Sequence, residues 1–259
     1  MKEELNIALI QTTLEWENRE ANREHFQKKI ASIQEKVDMI ILPEMFTTGF
    51  TMNAAPLAES MDGATVVWMK HMAQITNAAI TGSIIIQENH NFYNRLLFVT
   101  PEGEIQCYDK RHLFTLANEQ ETYTAGNEKL IVEYKGWRLC PMICYDLRFP
   151  VWARNTENYD VLFFVANWPK ARIKAWDVLL QARAIENMAY CLGVNRIGTD
   201  GKGFDYVGHS AVYDGLGLSL FDVEHEKEAI FTATLSKTHL LETRKKLRFL
   251  EDKDLFFWH

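Results

Sequence analysis

Short apolar segments alternate with helix-patterned stretches along most of this chain, and that alternation constrains the fold more than any other feature. Residues 5–11 read as a first strand, and Met39-Ile-Ile-Leu42 as a buried strand that ends at Pro43. Between them, Phe26, Ile30, Ile33 and Val37 recur at spacings of four, three and four, which is one face of a helix over 18–36. A helix is expected over 64–77 and a strand over 79–86. Two hairpins follow: 93–100 with 105–110 around Pro101-Glu-Gly-Glu104, and 130–134 with 137–143 around Lys135-Gly136. Pro150 sits where a helix can begin. A strand over 161–166, a helix over 173–190 and a strand over 191–195 come next; 208–213 and 228–235 close the pattern around Asp214-Gly-Leu-Gly217. There is no repeat, low-complexity tract or flexible linker. Strands mixed with helices without a break indicate one layered α/β domain over residues 1–259, and so many strands suggest two sheets rather than one open sheet.

Composition narrows the function classes. Hydrophobic residues at 47% exclude a disordered chain, and 259 residues can build a core without disulfide staples. The net charge, 28 − 35 = −7, argues against nucleic-acid or anionic-membrane partners, although a local basic pocket for a small anion remains compatible with it. The apolar run 161–166 falls far short of the ~20 residues of a membrane span, and the start Met-Lys-Glu-Glu does not resemble a secretory signal. Cys107, Cys140, Cys144 and Cys191 form no CxxC pair. A soluble, reduced, cytoplasmic protein is expected. No HxxxH, GxGxxG or P-loop pattern occurs, so no metal or nucleotide cofactor is expected. The last residues differ: Thr243-Arg-Lys-Lys-Leu-Arg248 is basic and Leu255-Phe-Phe-Trp258 strongly apolar. Residues 236–259 are therefore expected to be a C-terminal tail packing on the body or on a partner subunit.

Three segments mount a reactive side chain at a strand end: Glu44 after Ile40-Ile-Leu-Pro, Lys110 after Cys107-Tyr-Asp, and Cys144 after Met142-Ile. Singly each has a bland reading: a solvated loop carboxylate, an edge-blunting lysine, a small buried hydrophobe. Together they are chemically complete. A carboxylate can take a thiol proton, and an ammonium plus the Tyr145 backbone N–H can stabilise the oxyanion formed by attack on an amide. The acid then protonates the leaving amine and activates water against the thioester. His112 offers a rival base for Cys144, without the Cys-Gly-Ser-Cys-Trp context of papain-like enzymes. A Cys140–Cys144 disulfide is disfavoured, because four strand residues span ~13 Å.

These segments, in this order and spacing, resemble the nitrilase superfamily of carbon–nitrogen hydrolases. Leu42-Pro-Glu-Met-Phe46 with Gly49-Phe50 is similar to its glutamate motif, Tyr108-Asp-Lys-Arg-His-Leu113 to its lysine motif, and Ile143-Cys-Tyr-Asp-Leu-Arg-Phe-Pro150 to its nucleophile motif. Val165-Ala-Asn-Trp-Pro169 and Arg183-Ala-Ile-Glu-Asn187 through Arg196 extend the match. The resemblance implies a four-layer α-β-β-α sandwich, frequent homodimers through a helical face, and no metal or organic cofactor. By position it makes Glu44 the base, Lys110 the oxyanion stabiliser and Cys144 the nucleophile. It also implies a second carboxylate seven residues before a glycine, an offset that Glu119 holds from Gly126 and Glu121 does not. The stretch 144–152 is most similar to the omega-amidase branch, which hydrolyses the terminal amide of 2-oxoglutaramate and 2-oxosuccinamate. Such a substrate needs a cation for its far carboxylate. Arg148, Arg172 and Arg196 are candidates, with a structural ion pair the competing role for Arg148, and Trp168 and Phe50 are candidate pocket walls. Another amidase of the superfamily, or a non-catalytic scaffold of the same fold, is the alternative.

Overall fold

The computed structural model describes residues 2–221 and 225–254. The first half of the chain forms β1 (Glu4–Gln11), α1 (Arg19–Ala31), β2 (Met39–Ile41), α2 (Ala54–Leu57), α3 (Ala64–Thr76), β3 (Ala79–Glu88), β4 (Asn91–Val99) and β5 (Ile105–Asp109). The second half forms β6 (Val132–Tyr134), β7 (Trp137–Ile143), α4 (Pro150–Ala153), β8 (Val161–Ala166), α5 (Ile173–Asn187) and β9 (Tyr190–Asn195). It continues with β10 (Ile197–Thr199), β11 (Asp205–Val207), β12 (Ala211–Tyr213), β13 (Ala229–Ser236) and α6 (Lys237–Leu247).

The strands sort into a six-stranded sheet, β13-β1-β2-β3-β4-β5, a five-stranded sheet, β12-β9-β8-β7-β6, and the small hairpin β10-β11. In each large sheet three strands run parallel: β1, β2 and β3 in one, β7, β8 and β9 in the other. The period-two geometry of a strand decides which side chains go where. Leu5, Ile7 and Leu9 of β1 point into a core shared with β7, β8 and β9, whereas Ala8 and Ile10 pack under α1 and α3 with Phe26, Ile30 and Met69. On the far side, Trp176, Leu180 and Ala184 of α5 close the second sheet. The result is the four-layer α-β-β-α sandwich. The wholly apolar run in β8 follows from its place: covered on both faces, Phe163 and Phe164 are fully buried, each contributing roughly 1.5–3 kcal/mol.

Helix α1 is capped by Asn18, whose side chain accepts from the Ala21 amide, and carries Lys28 and Lys29 in its last turn, where they oppose the helix dipole. It stops at Ala31, so Ile33 and Val37 lie beyond it, although Val37 is still buried. The basic stretch near the C-terminus is helical: Ser236 caps α6 by accepting from the His239 amide. Arg244 anchors α6 on the body, donating to the Met188 and Tyr159 carbonyls at 2.7 and 2.6 Å, and Lys237 pairs with Asp160. Leu255-Phe-Phe-Trp258 lies outside the described residues. No helix among the described residues is long and apolar enough to cross a membrane.

Candidate active site

The carboxyl ends of the parallel strands meet between the two sheets. Glu44 follows β2, Cys144 follows β7 and Asn167 follows β8, while Lys110 follows the antiparallel edge strand β5. All four line one cavity of about 230 Å³.

Glu44 is fully buried and every oxygen has a partner. Its Oε1 accepts from Lys110 Nζ at 2.9 Å and Asn94 Nδ2 at 2.8 Å, and its Oε2 from the Asn167 amide at 2.9 Å. Its backbone carbonyl accepts from Asn167 Nδ2 at 2.6 Å. Lys110 is equally buried and also donates to Glu119 at 3.1 and 3.0 Å. Burial alone would push the ammonium towards its neutral form; Glu119 and Glu44 outweigh that and hold its pKa above the ordinary lysine value. The Phe50 ring covers the ammonium at 5.0 Å.

Glu119 reaches the lysine because the chain from 110 to 126 is pinched shut at its base. The Gly126 amide donates to the Lys110 carbonyl at 3.0 Å, and a Cβ at Gly126 would stand 2.3 Å from the Asp109 carbonyl oxygen. Only glycine fits that approach. Asn118 in the left-handed region turns the chain, and Glu119 Oε2 accepts from the Phe114 amide at 2.6 Å. Burial raises the Glu119 pKa, with Lys110 opposing.

Cys144 opens a 3-10 turn over Cys144–Arg148 with φ +45°, a conformation that typically costs about 1–3 kcal/mol and occurs where surroundings enforce it. The turn exposes its first backbone N–H groups, Tyr145's among them, without intrahelical partners. Burial raises the thiol pKa well above the ordinary value, and the nearby Glu44 carboxylate adds to the rise against the Lys110 ammonium, while the thiol itself lies 3.9 Å from the Asn167 carbonyl oxygen. The resting sulfur is thus a neutral thiol beside a carboxylate.

Tyr145, Arg148, Trp168 and Phe50 all line the cavity, with Arg172, Phe114 and Tyr206. Arg148 lies over the Trp168 ring at 5.0 Å and Arg172 over Phe114 at 5.0 Å. Neither guanidinium has a carboxylate within ion-pair distance among the described residues, so the structural ion pair considered for Arg148 does not form. Arg196 is different: fully buried, it stacks on Tyr206 at 4.7 Å, donates to the Ile197 carbonyl at 3.2 Å, and does not line the cavity. His112 is not placed to serve Cys144; its Nδ1 lies 2.8 Å from Asp146 Oδ1 and its ring stacks on Phe149. All four cysteines are free thiols, and no cluster of three or more His, Cys, Asp or Glu among the described residues is arranged to hold a metal ion.

Sequence reasoning missed Asn94 and Asn167, the two amides that fix Glu44, and the β10-β11 hairpin that brings Asp200, Lys202, Phe204 and Tyr206 to the cavity. Asn94 sits beside Arg95 in a strand that also carries Asn91, so it does not stand out locally, and the hairpin, with its three-residue strands, gives no signal either.

The carbon–nitrogen hydrolase family model matches residues 6–245. The chain belongs to the carbon–nitrogen hydrolase family, and is a hydrolase of amide C–N bonds. Within the family its sequence relatives include omega-amidases and 2-oxoglutaramate amidases. It is 46% identical over 256 residues to omega-amidase YafV of Yersinia enterocolitica, covering 97% of this chain and 98% of that one. It is 34% identical to 2-oxoglutaramate amidase of Bacillus subtilis, covering 85% and 86%. A CN-hydrolase superfamily protein from Xanthomonas campestris, solved with an arsenic adduct in its active site, superposes with TM-score 0.97 at 44% identity over the full length of both chains.

Proposed function

We propose that the protein is an omega-amidase that hydrolyses the terminal amide of a small 2-oxo acid, 2-oxoglutaramate or 2-oxosuccinamate, to ammonia and a 2-oxo dicarboxylate. One observation carries the substrate class: the cavity that holds the Glu44–Lys110–Cys144 cluster also presents two guanidiniums, Arg148 and Arg172, with no carboxylate partner of their own among the described residues. Both are half-buried in the cavity wall, and a substrate carboxylate would give them a charge-assisted partner. The omega-amidase names of the relatives support the same substrate.

In this reading Glu44 accepts the Cys144 thiol proton as sulfur attacks the amide carbon. The resulting oxyanion is held by the Lys110 ammonium and the Tyr145 N–H. Glu44 returns the proton to the departing nitrogen, ammonia leaves and a thioester remains on Cys144. Glu44 then deprotonates water, which attacks the thioester; collapse expels the thiolate, which takes the proton back. Glu119 keeps Lys110 charged and aimed. Trp168 and Phe50 wall the substrate. No metal or organic cofactor enters any step.

The reading treats residues 1–259 as one hydrolase domain, with 236–259 packing on the body or a partner, working in the reducing cytoplasm where its four thiols stay free. It further takes the protein as a homodimer. The face of α5 that exposes Val178 and Ile185, beside Leu216 and Leu218, supports that, and sedimentation velocity tests it. The functional test is ammonia release from 2-oxoglutaramate beside succinamate, glutamine and a simple nitrile. Cys144-dependent turnover of only another amide would keep the chemistry and discard the substrate.

A further inference from the structure

The geometry points to Asp146 as a positioning residue that locks the lysine-bearing strand end to the nucleophile turn. Asp146 is fully buried and its carboxylate accepts four hydrogen bonds. Oδ2 accepts from the Tyr108 hydroxyl at 2.7 Å and from the Ile143 amide at 3.0 Å; Oδ1 accepts from the His112 amide at 3.0 Å and faces His112 Nδ1 at 2.8 Å. Tyr108 and His112 stand two residues before and two after Lys110, and Ile143 immediately precedes Cys144. One carboxylate therefore ties down the chain on both sides of Lys110 and holds the entry to the nucleophile. The placement of the Lys110 backbone against the Cys144 turn, on which the oxyanion's meeting with its donor depends, runs through Asp146, while Glu44 and Glu119 hold the ammonium itself.

The donor inventory shows why a carboxylate is required. The Ile143 and His112 backbone N–H groups can only donate. The Tyr108 hydroxyl is committed as well, because its oxygen already accepts from Trp152 Nε1 at 3.0 Å and from the Arg111 amide at 3.3 Å, leaving its proton for Asp146. An asparagine presents one NH2 group. Turned one way it confronts the Ile143 N–H and the Tyr108 proton; turned the other way it confronts the His112 N–H. Neither orientation satisfies the network, so Asp146→Asn, which conserves shape, breaks the lock.

This inference rests on the assignment of Cys144 and Lys110 made above, and its test separates the two. Asp146→Asn and Tyr108→Phe are compared with wild type and with Asp160→Asn. Asp160 is a buried acid at the start of β8, bound to the Arg138 amide at 2.8 Å and to Lys237, at the opposite end of that strand from Asn167. The readouts are kcat and KM for the amide, and the rate of Cys144 alkylation by iodoacetamide, which needs no substrate. For Asp146→Asn we expect kcat to fall about 100-fold, the scale set by a ~1 Å misplacement of catalytic groups, with KM near wild type and slower alkylation. Tyr108→Phe, which removes one of the four bonds, should fall between that variant and wild type. Asp160→Asn should lose thermal stability while keeping kcat. Should Asp146→Asn fail to fold, Tyr108→Phe still decides. Wild-type kcat and alkylation rate in folded Asp146→Asn or in Tyr108→Phe, or an equal loss of kcat in Asp160→Asn, overturns the role. A wild-type Cys144 inert to both amide and iodoacetamide overturns the assignment beneath it.

Discussion

Replacing Lys110 with methionine should damage the protein twice, through two mechanisms that can be measured apart. The ammonium sits 2.9 Å from Glu44 and 3.0 Å from Glu119, with all three side chains essentially sealed from solvent. Methionine fills similar volume and removes the charge, leaving two buried carboxylates that share only Asn94, whose Nδ2 stands 2.8 Å from Glu44 and 3.5 Å from Glu119. Removing one partner of a buried ion pair costs about 3–5 kcal/mol. At about 2–4 °C per kcal/mol for a chain of this size, Tm should fall by roughly 6–20 °C. Independently, losing one oxyanion donor should lower kcat by about 10²–10³. Adding Glu119→Gln to Lys110→Met removes the surplus negative charge and should restore most of the stability and none of the activity. The pH dependence has a definite sign. With the lysine gone, the folded state holds a carboxylate proton that the unfolded chain releases near its ordinary pKa of ~4.3, so the variant's deficit should grow as pH rises from 4 towards neutrality and shrink on acidification. Differential scanning calorimetry of the two variants across that range, beside their kcat values, is the assay. A Tm loss that Glu119→Gln deepens instead of reversing would refute the electrostatic account of the cluster.

Glu44→Gln keeps the Asn94 contact but cannot accept the thiol proton, so kcat should fall by about 10²–10⁴, read by single-turnover ammonia release. Arg148→Met and Arg172→Met should raise KM for a 2-oxo acid amide by roughly 10- to 150-fold each, the worth of a charged hydrogen bond, while leaving turnover of a neutral amide unchanged. The raised pKa of Cys144 means the folded state keeps a proton that the unfolded chain sheds above its ordinary ~8.5. Wild-type Tm should therefore decline relative to Cys144→Ala as pH rises through that value. The same raised pKa predicts no ultraviolet thiolate absorbance from Cys144 at neutral pH.

Where local rules and tertiary environment agree, the sequence reading and the structure coincide. β8 runs over the residues expected of it, 161–166, because a strand covered on both faces is apolar from end to end, and β7 over 137–143, because the Lys135-Gly136 turn fixes where it starts. The ends of helices were less readable. The apolar spacing through Ile33 and Val37 continues past Ala31, since Val37 is buried by the fold and not by α1. Helix α6 buries only Leu240 and is held by Arg244 on the Met188 and Tyr159 carbonyls, so its sequence shows a basic stretch where the structure has a helix. The candidate site divides in the same way. Glu44, Lys110 and Cys144 each follow a recognisable strand, and Glu119 follows from its offset to Gly126, which the close approach to Asp109 explains. Asn94, Asn167 and Asp146 act through partners 50, 123 and up to 38 residues away, and no local pattern marks such pairings. Arg196 illustrates the converse: an arginine in a matching segment was a fair candidate for the pocket, but stacking on Tyr206 and the Ile197 carbonyl hold it behind the wall.

The central claim is that Cys144 hydrolyses the amide of a 2-oxo acid. Ammonia release from 2-oxoglutaramate by wild type and by Cys144→Ala tests it most directly. Rapid release by wild type that vanishes in the variant is the predicted result; release that survives in Cys144→Ala, or none from wild type, would contradict it.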